Sequence, residues 1–396
     1  MSRLTDLHRA ARKAAARILG RGNASPTSPG LAPDRDYGYP FTWYEELRRT
    51  GTVHFVPQWD CWVIVGYDQV KRALAEPAVF SSRHPRMLQV DPVLIGNDAP
   101  GHTAIRRIMA HHFSAAALAR RAALVERTAE DLLRPLVQGH DLDVVSGFAT
   151  PLAWAVAREI IGFDAEALES FKEPTRRSQG STDLLYDLMT GPLAAAAGRS
   201  GLYHDLRGAQ GGSLDDDAAR SLVKLVWIAG TVETERAVGS AVLLLLENPE
   251  VQARLGGDPG LVPRFVTEAL RIRPPEHVVL RRTTAPVDIG GTTIPADASV
   301  HLCLAAANRD PAYFPDPAAL RLDRPRAAHM AFGGGAHRCI GAALAHSQLT
   351  IAIRTLLQLA PRFQAVQPLA DVCYAPSPPF QHIERLMIRG PGLLSK

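Results

Sequence analysis

The ten residues 332–341, "FGGGAHRCIG", set three consecutive glycines and one cysteine, Cys339, immediately before a helical run, "AALAHSQLTIAIRTLLQLA" (342–360). A lone cysteine is in general a small buried hydrophobe. Its neighbours argue otherwise here. Gly333, Gly334 and Gly335 permit backbone angles closed to other residues and let a flat ligand approach, and the N-terminal end of a helix favours thiolate. A thiolate so placed is a metal ligand or a nucleophile. No Cys or His lies at zinc-ligand spacing from it, which favours single-point ligation of a prosthetic group.

Outward from this loop, the other cysteines, Cys61, Cys303 and Cys373, are widely separated and form no CxxC pair. That argues against a disulfide framework or zinc site and for a reducing compartment. At 396 residues and 46% hydrophobic, the chain can bury a large core. No Gly/Ser linker, repeat or low-complexity block divides residues 40–396, so one large domain is expected there. The net charge of +4, with both signs mixed along the chain, gives no support to nucleic-acid binding. No apolar run approaches the roughly 20 residues that span a bilayer, and the N-terminus lacks a signal peptide's apolar core; a cytoplasmic protein without a transmembrane segment is expected. Residues 1–39 stand apart as a basic arm. Arg3, Arg9, Arg12, Lys13, Arg17 and Arg21 accompany Leu4, Leu7, Ile18 and Leu19 at helical spacing, followed by "GNASPTSPGLAPD". A mobile arm is the preferred reading; a membrane-surface or partner-docking helix, lacking aromatic anchors, is the alternative.

"VHFVPQWDCWVIVGYDQVKRALAE" (53–76) reads as two short strands and an amphipathic helix. Helical patterns dominate 103–270. The longest run, 214–247, opens with Ser213 and Asp216 at capping-box spacing and stops at Asn248-Pro249; at 1.5 Å per residue it is about 50 Å long. After residue 270, short β-type runs alternate with "GG" and "PAD" turns. The chain is therefore expected to be mainly α with small β-sheets.

Midway along the long run stands "AGTVET" (229–234). Gly in mid-helix costs about 1 kcal/mol relative to Ala, so something must favour Gly230. Val226, Ala229, Gly230, Glu233, Ala237, Ser240 and Ala241 share one helical face: a stripe of small side chains with one acid in it. Such a stripe admits a flat body close to the backbone. The simpler reading is helix packing plus a solvated Glu233–Arg236 pair at i,i+3.

The loop 332–341 meets the pattern FGxGxHxCxG at Phe332, Gly333, Gly335, His337, Cys339 and Gly341, and in this the sequence resembles the cytochrome P450 family, the haem-thiolate monooxygenases, in its soluble bacterial form. The resemblance implies the P450 fold around a buried haem b (iron protoporphyrin IX), with Cys339 as the metal ligand and Phe332 near its sulfur. "EALR" supplies an ExxR pair, Glu268 and Arg271, implied to form a buried charge cluster with Arg324. For the haem propionates the resemblance implies His102, Arg106, Arg281 and His329. Ala229 and Gly230 align with the family's central helix over the haem, whose usual pattern is AG, any residue, an acid, then Thr-Thr. In the gap-free register Val232 replaces the acid, Glu233 the alcohol, and Thr234 keeps its place. A one-residue π-bulge would instead restore Glu233-Thr234 as an acid–alcohol pair.

Glu233 and Thr234 are thus the candidate catalytic pair, with three readings for Glu233. It relays protons, since a carboxyl in an apolar pocket tends towards a raised pKa; it binds a cationic or hydroxylated part of the substrate; or it marks chemistry without the usual relay, such as oxidative coupling or peroxide-driven or non-oxygenating reactions. The cavity is implied to be lined by parts of 84–96, 276–280 and 376–381, beneath a lid, between "EIIGFD" and "GLYHDL", that looks short; an open mouth or a carrier-protein-bound substrate follows as a hypothesis. Electrons are expected from a ferredoxin and its reductase, docking near Arg107, His111, His112, Arg338 and His346. An enzyme of secondary metabolism is the first functional reading; non-standard P450 chemistry and a non-catalytic haem sensor are the others.

Overall fold

The computed structural model describes residues 41–85, 93–163, 201–208, 214–324, 329–374 and 382–390. The basic arm, the lid segment, and most of the expected cavity stretches 84–96 and 376–381 lie outside the described residues.

Apolar spacing in "FTWYEELRRT" buries Phe41, Tyr44 and Leu47 on one face of α1 (Phe41–Thr50). The chain then enters β1 (Val53–Val56) and β2 (Cys61–Ile64), an antiparallel pair turned at Asp60 in left-handed conformation (φ 48°). After α2 (Tyr67–Ala75), β3 (Phe80–Ser81) and α3 (Gly101–Met109) comes α4 (Ala115–Val137). The Ser114 hydroxyl caps α4 by accepting from the Ala117 N–H at 3.3 Å. A short β4 (Leu142–Asp143) precedes one π turn (Val144–Ala149) that runs into α5 (Thr150–Ile161), ended by Gly162 at φ 91°. The stretch Val144–Ile161 is the one described helical segment with the length and apolarity of a membrane span. Leu152, Ala153 and Val156 are nonetheless buried against the protein core.

Helix α6 (Leu202–Gly208) leads to α7 (Asp216–Glu247), the 32-residue axis of the molecule. Its cap is Asp215, whose carboxylate accepts from the Ala218 N–H at 2.7 Å. The expected Ser213–Asp216 box is not the observed start, and Ser213 lies outside the described residues. Asp216 and Asp217 complement the helix dipole in the first turn. At the other end, Asn248 donates from its side chain to Leu244 O at 2.7 Å, and Pro249 starts α8 (Pro249–Gly257). Then follow α9 (Val262–Ile272), β5 (Val278–Thr283), the hairpin β6 (Val287–Ile289) and β7 (Thr292–Ile294), β8 (Ser299–Cys303), the single turn α10 (Leu304–Ala307), α11 (Ala342–Leu359), β9 (Gln364–Ala365) and β10 (Met387–Arg389). Gly290 and Gly291, at φ 59° and 77°, supply the two left-handed positions of the hairpin turn.

The sheets are small: β1-β2-β8-β5-β3, with β2 parallel to β8 and β8 antiparallel to β5, and β4-β10-β9. The fold is mainly α with small sheets, as expected. The largest core cluster runs from Leu94 to Ile388 and centres on α7, which packs against α5, α9 and α11 with Trp227 fully enclosed.

One glycine fixes how the cysteine loop meets this frame. Gly335 has φ 61°, and a Cβ there would lie 2.0 Å from the Leu74 carbonyl oxygen of α2. Backbone cannot yield as a flexible side chain does. Gly335→Ala is therefore expected to cost at least about 2 kcal/mol, read as a lowered thermal midpoint. A midpoint equal to the wild type would show that the loop does not pack on α2 in this way.

Candidate active site

Cys339 is positioned by a loop that closes on itself ahead of α11. The Cys339 N–H donates to Phe332 O at 2.9 Å, and the Gly333 N–H to Met330 O at 2.9 Å. Cys339 as a residue is exposed, yet burial among protein atoms is the largest influence on its thiol and pushes the pKa up. An exposed residue crowded by protein lies in a recess. The Gly341 backbone N–H and the Arg106 and Arg338 charges favour the thiolate, whereas Glu233 opposes it. The net upward direction corrects the expectation drawn from the helix end alone, because burial outweighs those groups.

Across from the cysteine stands the midpoint of α7. Ala229 is exposed and Gly230 half-buried, although Val226, Trp227 and Ile228 before them and Thr231 after them are buried. A methyl on Gly230 would touch only Ala157 Cβ, at 3.9 Å. Neighbouring protein therefore does not demand glycine here; the stripe is open at the Ala229-Gly230 step, while Val226, Ala237, Ser240 and Ala241 are buried. Glu233, one turn further on, acts electrostatically on the Cys339 thiol, so the two walls belong to one site.

Cations gather at its edge. The His102 and His337 rings lie 4.0 Å apart, centroid to centroid, and His337 Nε2 is 3.7 Å from Asp98 Oδ1. Burial, His102 and Arg281 push His337 down to about 4. Burial lowers His102 too, with Arg106 and Arg281 adding to it and Asp98 opposing. Arg281, on β5, donates to the adjoining Leu280 carbonyl at 2.7 Å; burial lowers it to about 10, and Asp98 is the acid that opposes the shift. Arg106 donates to Arg338 O at 2.5 Å, tying α3 to the cysteine loop. Asp98 also accepts from the Ser81 hydroxyl and from the Ser82 N–H at 3.0 Å. Sequence reasoning missed it, although its i,i+4 spacing from His102 was a signal.

His329 lies beside Phe332 of the cysteine loop, with ring centroids 5.8 Å apart. Its Nδ1 accepts from the Ala331 N–H at 3.2 Å. Burial, then His346 and Arg271, lower it to about 4, which places it beside the second charge cluster. There Arg271, 1% exposed, pairs with both Glu268 oxygens at 2.7 and 2.9 Å and with the Pro317 and Asn308 carbonyls. Arg324 reaches the same carboxylate at 3.3 Å. Burial alone would raise Glu268; the hydrogen bonds and charge of Arg271, with the Arg321 N–H and Arg324, hold it below its ordinary value.

The acid of the small-residue stripe is half-buried, its side chain 27% exposed. Arg236, 5% exposed, donates to Glu233 Oε1 at 2.8 Å, while Glu233 Oε2 is buried without a hydrogen-bond partner. The i,i+3 pair of the simpler reading exists, with its arginine enclosed and its carboxylate partly open. Arg236 also reaches His382 Nδ1 at 3.4 Å; His382 Nε2 lies 3.8 Å from Glu235, whose carboxylate accepts from Thr150. Sequence spacing gave no hint of this chain of polar groups. Helix α7 is α-helical throughout, so the π-bulge alternative is not present. Val232 packs against the core and Thr234 is 5% exposed. Of the expected docking cations, Arg107 and Arg338 are exposed. His346 is half-buried and bonded to the Thr267 hydroxyl at 3.0 Å, and His111 and His112 face Asp205.

A family profile described as Cytochrome P450 matches residues 260–372. Pentalenic acid synthase of Streptomyces avermitilis is 31% identical over 399 aligned residues, covering 92% of this chain and 98% of that protein. The chain belongs to the cytochrome P450 family. The cytochrome P450 monooxygenase PikC of Streptomyces venezuelae is 30% identical, with 88% of this chain and 91% of that protein covered. Among solved structures, P450BioI in complex with a hexadec-9Z-enoic-acid-ligated acyl carrier protein superposes with a TM-score of 0.82 at 26% identity, covering 91% of this chain and all of that one, 100%.

The haem that a P450 implies fits these residues. The thiol lies in a recess faced by the open Ala229-Gly230 step, and two guanidiniums, Arg106 and Arg281, with two imidazoles, His102 and His337, whose protonation burial disfavours, offer a set of hydrogen-bond donors beside the single carboxylate of Asp98. A P450 so equipped is a haem-thiolate, monooxygenase-type oxidoreductase. Arg281→Ala should lower haem affinity about tenfold, the worth of one charged hydrogen bond, while Arg281→Lys should lose less; haem content per chain on titration is the readout. Equal haem affinity in all three proteins would remove Arg281 from the haem site.

Proposed function

We propose that residues 40–396 form one P450 domain that oxidises a small organic substrate of secondary metabolism, with Glu233 as its proton-handling group and electrons from a separate ferredoxin and its reductase. The continuous core from Leu94 to Ile388 supports the single domain. When bound, the haem supplies activation of dioxygen. Cys339 holds its iron, and Gly341, Arg106 and Arg338 favour the negative sulfur. His102, Arg106, Arg281 and His337 form the donor set for the propionates; Phe332, Gly333 and Ala229-Gly230 border the ring. Glu268, Arg271 and Arg324 act as scaffold, and exposed Arg107 and Arg338 offer positive charge to an acidic redox protein. A cytoplasmic setting suits that partnership.

One observation carries the proton-handling reading: Glu233 has one oxygen fixed by Arg236 and the other buried without a donor. An unpaired ionised oxygen is costly. Oε2 is left to take a hydrogen bond from water or another donor beside the Ala229-Gly230 step, and that placement makes Glu233 the group for proton exchange there. Val232, packed in the core, takes no part. Thr234, buried on the adjoining face, is the supporting hydroxyl.

A second reading, chemistry that bypasses the usual relay, draws on the replacement of the acid–alcohol pair by Val232 and Glu233. Carrier-bound substrate draws on the likeness to P450BioI, whose ligand is held by an acyl carrier protein.

Turnover of wild type and Glu233→Gln with ferredoxin, reductase and NAD(P)H, against turnover with hydrogen peroxide, separates these readings. Proton handling predicts that Gln lowers product formation per NAD(P)H by about a hundredfold and spares the peroxide route, which brings its own protons. A higher KM with unchanged kcat points to substrate binding instead. Unchanged product and coupling under both regimes sinks the relay.

A further inference from the structure

We propose that His111, His112 and Asp205 form a binding site for a divalent transition-metal ion of the zinc class, bridging the turn after α3 to α6. The 3-10 turn Ala110–Phe113 presents both imidazoles side by side, with ring centroids 3.9 Å apart. Nε2 of each ring lies 3.0 Å from Asp205 Oδ2, and the three donor atoms fall within 4.8 Å of one another. Tetrahedral ligation at bonds of about 2.0–2.1 Å separates donor atoms by roughly 3.3 Å, so the two imidazole–carboxylate separations need to open by only a few tenths of an ångström, and the imidazole pair already lies within 4.8 Å.

The tautomer of His111 points the same way. Its Nδ1 lies 2.9 Å from Ile108 O; a carbonyl only accepts, so Nδ1 carries the hydrogen. In the neutral ring Nε2 then aims a lone pair at a carboxylate oxygen. Acceptor against acceptor is relieved by a cation between them or by a second proton on the ring. A ligating histidine whose other nitrogen donates to a backbone carbonyl is the usual outer-shell arrangement of a metal site. The neighbouring Arg121, which donates to His112 O, has its charge offset by Glu159, leaving the Asp205 charge for the metal. Two imidazoles and a carboxylate, with a fourth position open to water, suit zinc or a similar ion.

Such an ion would join the end of the helix bearing His102 and Arg106 to the helix that precedes α7, in the turn whose Phe113 ring lies against Gly341 of the cysteine loop. The test is calorimetric titration of zinc chloride into untagged, haem-loaded protein as wild type, Cys373→Ser, His111→Ala and Asp205→Asn, with thermal midpoints measured alongside. The expected result is one zinc per chain in wild type and Cys373→Ser, with affinity lower by at least about tenfold in the other two, and a zinc-dependent midpoint rise confined to the first two. Absence of saturable binding to wild type, equal affinity in all four proteins, or loss of binding in Cys373→Ser overturns the proposal.

Discussion

The cysteine thiolate has to be held inside the protein, where burial opposes its charge, and most of the site follows from meeting that demand. Burial pushes the Cys339 thiol up, so the loop surrounds it with what favours the anion: the Gly341 N–H and the Arg106 and Arg338 guanidiniums. Arg106 serves twice, because its bond to the Arg338 carbonyl also anchors the loop to α3. Gly335 allows the loop to lie on the Leu74 carbonyl, a contact that leaves no room for a side chain. Opposite, α7 offers an alanine and a glycine rather than bulk, so that space remains above the sulfur.

Two sets of charges divide the remaining work. The Glu268–Arg271–Arg324 cluster is closed: every arm of Arg271 ends on a carboxylate or a backbone carbonyl. Breaking one member of such a buried group leaves the others uncompensated, at a cost of about 3–5 kcal/mol, which suits a scaffold. The set at His102, Arg106, Arg281 and His337 is open, with Asp98 the one carboxylate beside it. The Arg281 charge is held where burial opposes it, and the propionates of a haem would supply the anion that favours it. Glu233 belongs to neither set. Its link through Arg236 to His382 and Glu235 forms a separate polar chain within an apolar helix bundle.

What could be read from the sequence was local or long. The cysteine loop, the ExxR pair and the strand-strand-helix run 53–76 are each contained in a short window, and the pattern of α7 extends over nine turns, about 3.6 residues each. Its start was displaced because Ser213 and Asp215 are both good caps and spacing alone cannot choose between them. The direction of the Cys339 shift was misjudged because a helix end is visible in sequence whereas burial is not. The Arg236–His382 and Thr150–Glu235 contacts join residues 146 and 85 positions apart, and the histidine pair meets Asp205 across 94 and 93 positions. No periodicity connects such residues; the packing of α7 against α5 and against the segment at His382–Ile383, and of α6 against α3, brings them together.

On the proposed reading, Cys339 alone supplies the thiolate to a haem held between its loop and the Ala229-Gly230 step of α7. The Soret band of the reduced carbon monoxide adduct tests it most directly. The account predicts the long-wavelength band of thiolate ligation in wild type and in Cys373→Ser, and its loss in Cys339→Ala with haem still bound. A thiolate band that persists in Cys339→Ala would contradict it.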